Sequence, residues 1–153
     1  MNYIVARLLQ VLEEEEAFWL FTIIMEKYLP LDYMLFGLTG AMTDQKVFEH
    51  FVNYTYPDVL DKFRSIKLAD STDVSCLLIL KNTIITWYNS LFTYQIPKDL
   101  AFGFFDLFLL NGNRTLFYFS LSIIGCCKNQ IYKCNSVEEM QGEILKGTRN
   151  KEF

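Results

Sequence analysis

Only seven glycines and three prolines punctuate these 153 residues. A chain so poor in turn formers does not fit a collagen-like or low-complexity polymer, and it lacks the turn signal every ten residues or so that a β-sandwich requires. Between those breaks run long apolar segments. Leu, Ile, Val and Phe make up about 35% of the sequence, well above the ~20% below which disorder is the better reading. A chain of this length can bury roughly 68–70% of the surface it exposes when unfolded. One compact all-α domain is the expected architecture.

The spacing of apolar residues places about eight helices and no strand. The clearest is expected from Val74 to about Tyr94. There Val74, Leu77, Leu78, Ile84, Ile85, Tyr88, Leu91 and Phe92 recur at three- and four-residue steps and only Lys81 interrupts. A first helix is expected over residues 3–11. Glu13–Glu16 opens a second, with carboxylates where the helix dipole favours them; it runs to Tyr28 and ends at Pro30. Thr43 and Asp44 read as the cap of a helix carrying Val47, Phe48, Phe51 and Val52. Pro57 and Pro97 each sit where a helix begins, since a first-turn proline loses no hydrogen bond. Gly112 is the expected stop of the Pro97 helix. Arg114 to about Cys127 is apolar nearly all round, the mark of a helix on which others pack. Ser136–Glu139 has capping-box spacing, Gly147 reads as the C-cap of the last helix, and residues 148–153 as a frayed polar tail.

Chemistry-bearing groups are few. The net charge of −4 is the wrong sign for a chain that binds by neutralising phosphates, so nucleic acid is not an expected partner. Cys76, Cys126, Cys127 and Cys134 form no C-x-x-C pair, and the single histidine, His50, is far from them. They read as free thiols rather than metal ligands, with Cys126 and Cys127 on different faces of one helix. His50 has no evident partner and reads as structural or solvent-facing; Glu13–Glu16 reads as a solvated helix start rather than a metal site. The aromatic crowd Phe102, Phe104, Phe105, Phe108, Phe117, Tyr118 and Phe119 reads as core. No glycine-rich phosphate loop occurs, so neither cofactor nor metal is expected. The longest charge-free runs, Asn82–Pro97 and Thr115–Cys127, fall short of the ~20 residues of a spanning helix. With no basic leader before the first apolar stretch, a soluble intracellular chain is expected.

Several phrases nevertheless resemble one family. Glu14-Glu15-Glu16-Ala17-Phe18-Trp19 resembles the E-E-x-A-F-W segment of the TBC domain, the Rab GTPase-activating family. In the family's order follow Tyr28-Leu29-Pro30, Asp44-Gln45 with Val47-Phe48, and Pro57-Asp58-Val59-Leu60. Trp87 with Leu91-Phe92 and Pro97 comes next. Asp106 with Gly112 and Leu116-Phe117 closes the series, Phe105 standing where the family usually has Trp. The resemblance spans roughly residues 1–146. It implies an all-α, multi-helix orthogonal bundle, the C-terminal majority of a TBC-type domain over residues 1–147, with 148–153 as a tail, and marks Trp19, Asp44, Trp87, Pro97, Asp106 and Gly112 as family-motif structural residues.

The family's mechanism inserts an arginine, from I-x-x-D-x-x-R, and a glutamine, from Y-x-Q, into the nucleotide site of a GTP-bound Rab. An arginine supplied in this way is worth ~10³–10⁵ in rate. Neither motif occurs here: Arg7, Arg64 and Arg114 lack the first context, and Gln95 follows Tyr94 directly. Met1-Asn2 aligns with the family's M-N just after the glutamine. No catalytic residue carries over, and Met1 and Asn2 are the candidate GTPase-facing positions. Two expectations follow: a Rab-GAP domain lacking its N-terminal part, or a finger-less module that binds a Rab or scaffold without GAP activity. Either is expected in the cytoplasm, at most peripheral to endomembranes, and exposed apolar surface left by missing helices is expected to favour self-association.

Overall fold

A computed structural model describes residues 2–30, 32–34, 37–66 and 76–149. Eight α-helices and no strand occur among them: α1 (Asn2–Leu8), α2 (Glu14–Ile23), α3 (Thr39–Thr55), α4 (Pro57–Ser65), α5 (Leu77–Ser90), α6 (Lys98–Asn111), α7 (Arg114–Lys133) and α8 (Val137–Arg149). The chain is an all-α bundle, as its apolar spacing predicts.

α7 is the central helix and packs on α3, α4, α6 and α8; α5 packs on α3, α4 and α8. The near-continuous apolar surface of α7 is what allows four neighbours to share it. Phe48, Tyr88, Phe92, Phe104 and Phe108 are almost wholly buried. Phe104 and Phe108 stack at 18°, and Phe92 meets Trp87, Tyr88, Phe104 and Phe119 edge-on or tilted. Such pairs add about 0.5–1.5 kcal/mol beyond the area they bury. Glu49 of α3 braces the same layer, pairing with Lys81 of α5 at 3.0 Å and Arg64 of α4 at 3.7 Å. Lys81, the one break in the apolar stripe, is thus accounted for.

Several helix ends differ from expectation. α1 stops at Leu8 rather than at residue 11. Glu13 N-caps α2 with a Glu13/Glu16 capping box, but the last turn widens into a π-helix over Ile24–Tyr28, where Leu29 N–H reaches Ile24 O. Thr43 and Asp44 are not a cap. α3 begins a turn earlier, at Thr39, and Thr43 Oγ1 donates back to Thr39 O at 2.9 Å, satisfying itself inside the helix. α5 ends at Ser90, short of Tyr94; Val74 lies outside the described residues. α7 runs past Cys127 to Lys133.

Gly112 does end α6, at φ +68°. Gly147 is not a C-cap. It lies inside α8, and a Cβ there would collide with Cys127 Sγ and approach Ile123 of α7. α8 continues through Arg149, with Thr148 fully buried rather than frayed. Ser136 Oγ accepts from Glu139 N–H at 3.2 Å, while the Glu139 carboxylate reaches back one residue further, to Asn135 N–H at 2.8 Å. Of the aromatic crowd, Tyr118 is not core, being 66% exposed, and Phe102 is only half-buried, with Lys98 Nζ 5.8 Å from its ring centre.

Candidate functional site

α1 carries the candidate GTPase-facing end and is held by its own sequence pattern. Ile4 and Leu8, four residues apart, face inward and are buried. Tyr3, Arg7 and Gln10 share the opposite side at three- and four-residue steps. Asn2 is exposed at the start of the helix; Met1 lies outside the described residues. Tyr3 packs on Tyr94 with ring centroids 4.7 Å apart. Arg7 donates one guanidinium N–H to Thr93 O at 3.1 Å and another to Gln10 Oε1 at 3.4 Å. The start of α1 is therefore fixed against the loop between α5 and α6.

That loop is held by packing and hydrogen bonds. Leu91 and Phe92, consecutive and non-glycine, both adopt left-handed backbone (φ +46° and +59°). Each costs about 1–2 kcal/mol in this conformation. Both side chains are completely buried, and burying a Leu or Phe yields roughly 1.5–3 kcal/mol, so packing outweighs the strain. The bend also closes α5: Phe92 N–H donates to Trp87 O at 2.9 Å, the six-to-one bond of a Schellman-type end. Ser90 Oγ donates to Thr86 O at 2.8 Å and lies 2.9 Å from Gln95 Oε1, and Thr93 Oγ1 donates to Ser90 O at 2.6 Å. Pro97 then N-caps α6.

The family-motif positions are dispersed. Trp87 is fully buried against Phe92, its indole N–H without a partner. Trp19 is 56% exposed, in edge contact with Phe18. Asp106 is exposed on α6. Asp44 lies in α3 with Oδ2 buried and unbonded, and the hydroxyl of nearby Tyr33 is likewise buried and unbonded. Burial raises the Asp44 carboxyl above its ordinary value, and the nearby Tyr33 hydroxyl only partly opposes this. Tyr33 itself is driven up, first by burial and then by the Asp44 charge.

No group of three or more His, Cys, Asp or Glu able to hold a metal occurs among the described residues. Burial pushes the Cys76 and Cys127 thiols up to about 11, so both stay protonated near neutrality. Cys76 Sγ instead contacts Met140 Sδ at 3.3 Å. Cys126 is exposed and Cys127 buried, on different faces of α7 as expected, and His50 faces solvent. No described helix is long and apolar enough to cross a membrane. The start of α1 and the α5–α6 loop present a polar and aromatic surface. Tyr3, Arg7, Thr93 and Tyr94 escaped the sequence reading because their contacts span 86 residues or more; the polar-aromatic face of α1 opposite Ile4 and Leu8 was the one available signal.

The sequence model of the RabGAP-TBC family, the Rab-GTPase-TBC domain, matches residues 1–132. TBC1 domain family member 2B of Homo sapiens is 31% identical over 133 residues, covering 87% of this chain and 13% of that protein. The Xenopus tropicalis protein of the same name is 29% identical over the same length. Small G protein signaling modulator 3 of Homo sapiens is 33% identical over 121 residues, 79% of this chain and 15% of that protein. The chain thus spans well under a fifth of the length of these relatives. With its all-α bundle and ordered motif blocks, the chain belongs to the Rab-GTPase-TBC domain family.

Proposed function

We propose that this chain binds a Rab-type small GTPase in its GTP-bound form through the start of α1 and the adjoining α5–α6 loop, without itself accelerating hydrolysis. The observation that carries the reading is the family match over residues 1–132 combined with a sequence that holds neither finger motif. In phosphoryl transfer the activator's contribution is charge neutralisation and water positioning. A chain without the arginine and the glutamine retains binding and forfeits those two effects. Its site of action would be the cytoplasmic side of endomembranes, as a peripheral component at most.

Phosphate release from a panel of GTP-loaded Rabs, with and without the chain, tests this. The expected outcome is the intrinsic rate throughout, together with nucleotide-dependent binding of at least one Rab. Stimulation by the chain alone would overturn the reading of the missing fingers. The alternative, a catalytically complete domain in a longer product, predicts an in-frame Y-x-Q-G immediately upstream of Met1 in the transcript; a stop codon there sinks it.

A further inference from the structure

Glu15, Trp19, Ile23 and Lys27 follow one another at steps of four along α2 and the π-turn, and all four are exposed. Residues four apart in an α-helix drift about 40° round its axis at each step. The wider turn over Ile24–Tyr28 rotates less per residue, which keeps Lys27 on the stripe of Trp19 and Ile23. The stripe therefore has an apolar middle, a carboxylate at one end and an ammonium at the other. Phe18, in edge contact with Trp19, widens the middle. Neither Glu15 nor Lys27 has an ion pair among the described residues. Ala17 and Ile24, on the opposite side, are buried. The Glu16 carboxylate is turned back to the Glu13 N–H in the capping box, and Glu14 and Glu26 flank the stripe.

We infer that this face pairs with the same face of a second copy of the chain, the two helices running antiparallel about a two-fold axis at the level of Phe21. Reversing the stripe on itself sets Glu15 against Lys27 of the other copy and Trp19 against its Ile23, each twice by symmetry. A parallel pairing would set Glu15 on Glu15 and Lys27 on Lys27, so charge selects the antiparallel one. Charge also argues against a lipid surface as the occupant. Glu14, Glu15, Glu16 and Glu26 outnumber Lys27 on this segment, and anionic headgroups attract bases, not acids. From Glu15 to Lys27 the stripe is ~18 Å long and one helix, ~10 Å, wide. That is well under the ~800 Å² per partner of a standard interface, so the pairing is reversible and set by concentration.

Sedimentation equilibrium of the full chain over a concentration series tests this. A monomer–dimer equilibrium is expected with nothing larger, because a two-fold contact closes on itself. Glu15→Lys and Lys27→Glu should each weaken the dimer by about 5-fold or more, since each sets like charges opposite one another twice. The variant carrying both changes exchanges the charges, keeps the net charge of −4, and should return to within about 2-fold of wild type. Thermal midpoints by circular dichroism are the folding control. Lys27→Gln, which removes the attraction without adding repulsion, should weaken the dimer less than Lys27→Glu does. A monomer at every concentration, an open-ended series of oligomers, or indifference to both single reversals would each overturn the proposal. So would a double variant that associates no more tightly than the single ones.

Discussion

Two helical glycines show how differently one residue type can be used. Gly103 faces open space, so Gly103→Ala should stabilise the chain by about 0.5–1 kcal/mol through lower backbone entropy in the unfolded state. Gly147 lets α8 close onto Cys127 and Ile123, and Gly147→Ala should cost about 1–3 kcal/mol of overpacking, outweighing the same entropic gain. Urea denaturation of both variants measures the contrast. Cys127→Ala in the Gly147→Ala background should lose less than the sum of the single changes, because the clashing sulfur is gone. Asp44 gives a pH signature. Its carboxyl is raised by burial, so the native state holds a proton that the unfolded state has released. That contribution is full below the ordinary aspartate range and lost as pH rises through the raised native value. Asp44→Asn should therefore gain stability relative to wild type as pH climbs from 4 to 7, read from thermal midpoints at each pH. A constant difference across that range would count against a buried, raised carboxyl.

Among the elements, α1 depends most visibly on a few long-range ties. It is seven residues long, too short to be stable alone, and rests on Ile4, Leu8 and the Arg7–Thr93 bond. Arg7→Ala should cost about 1 kcal/mol, the usual worth of a part-buried hydrogen bond. Its effect should appear first as faster amide exchange confined to α1, while α7 stays protected. Uniformly faster exchange would place Arg7 in the global core instead. Helix starts were readable wherever one residue type sets them: Pro57, Pro97 and Glu13 act on their own first turn. The end of α5 was not, since left-handed Leu91 and Phe92 carry no local glycine signal, and part of what holds Phe92 there, Phe104 of α6 and Phe119 of α7, is distant in sequence. The start of α3 failed for a related reason. Leu38, again non-glycine with φ +51°, stands at its N-cap, and the polar Thr43 and Asp44 that resemble a cap lie inside the helix.

At the level of the whole molecule, exposed apolar side chains on α2 have consequences in solution. Phe18 and Trp19 are both more than half exposed and adjoin Ile23 on a helix that, among the α-helices, packs chiefly on α1. We propose that this surface drives self-association at high concentration. Trp19→Ser should then lower the weight-average mass in sedimentation without lowering the thermal midpoint, because little buried area is lost. Equal mass for variant and wild type would locate association elsewhere. Among the described residues, the number of helices, their approximate positions and the absence of strands followed from spacing and caps, because those signals act between residues at most four or so apart. Which aromatic is core and which is surface was decided only by the packed bundle. Tyr118 and Phe119 are neighbours in sequence, yet Tyr118 faces out and Phe119 packs against Phe92 and Phe104. The same holds for Gly147 as a packing contact, for the strained bend at Leu91–Phe92, and for the tie from Arg7 to Thr93. Each depends on a partner brought near by folding, and the energy that makes it worthwhile exists only once that partner has arrived.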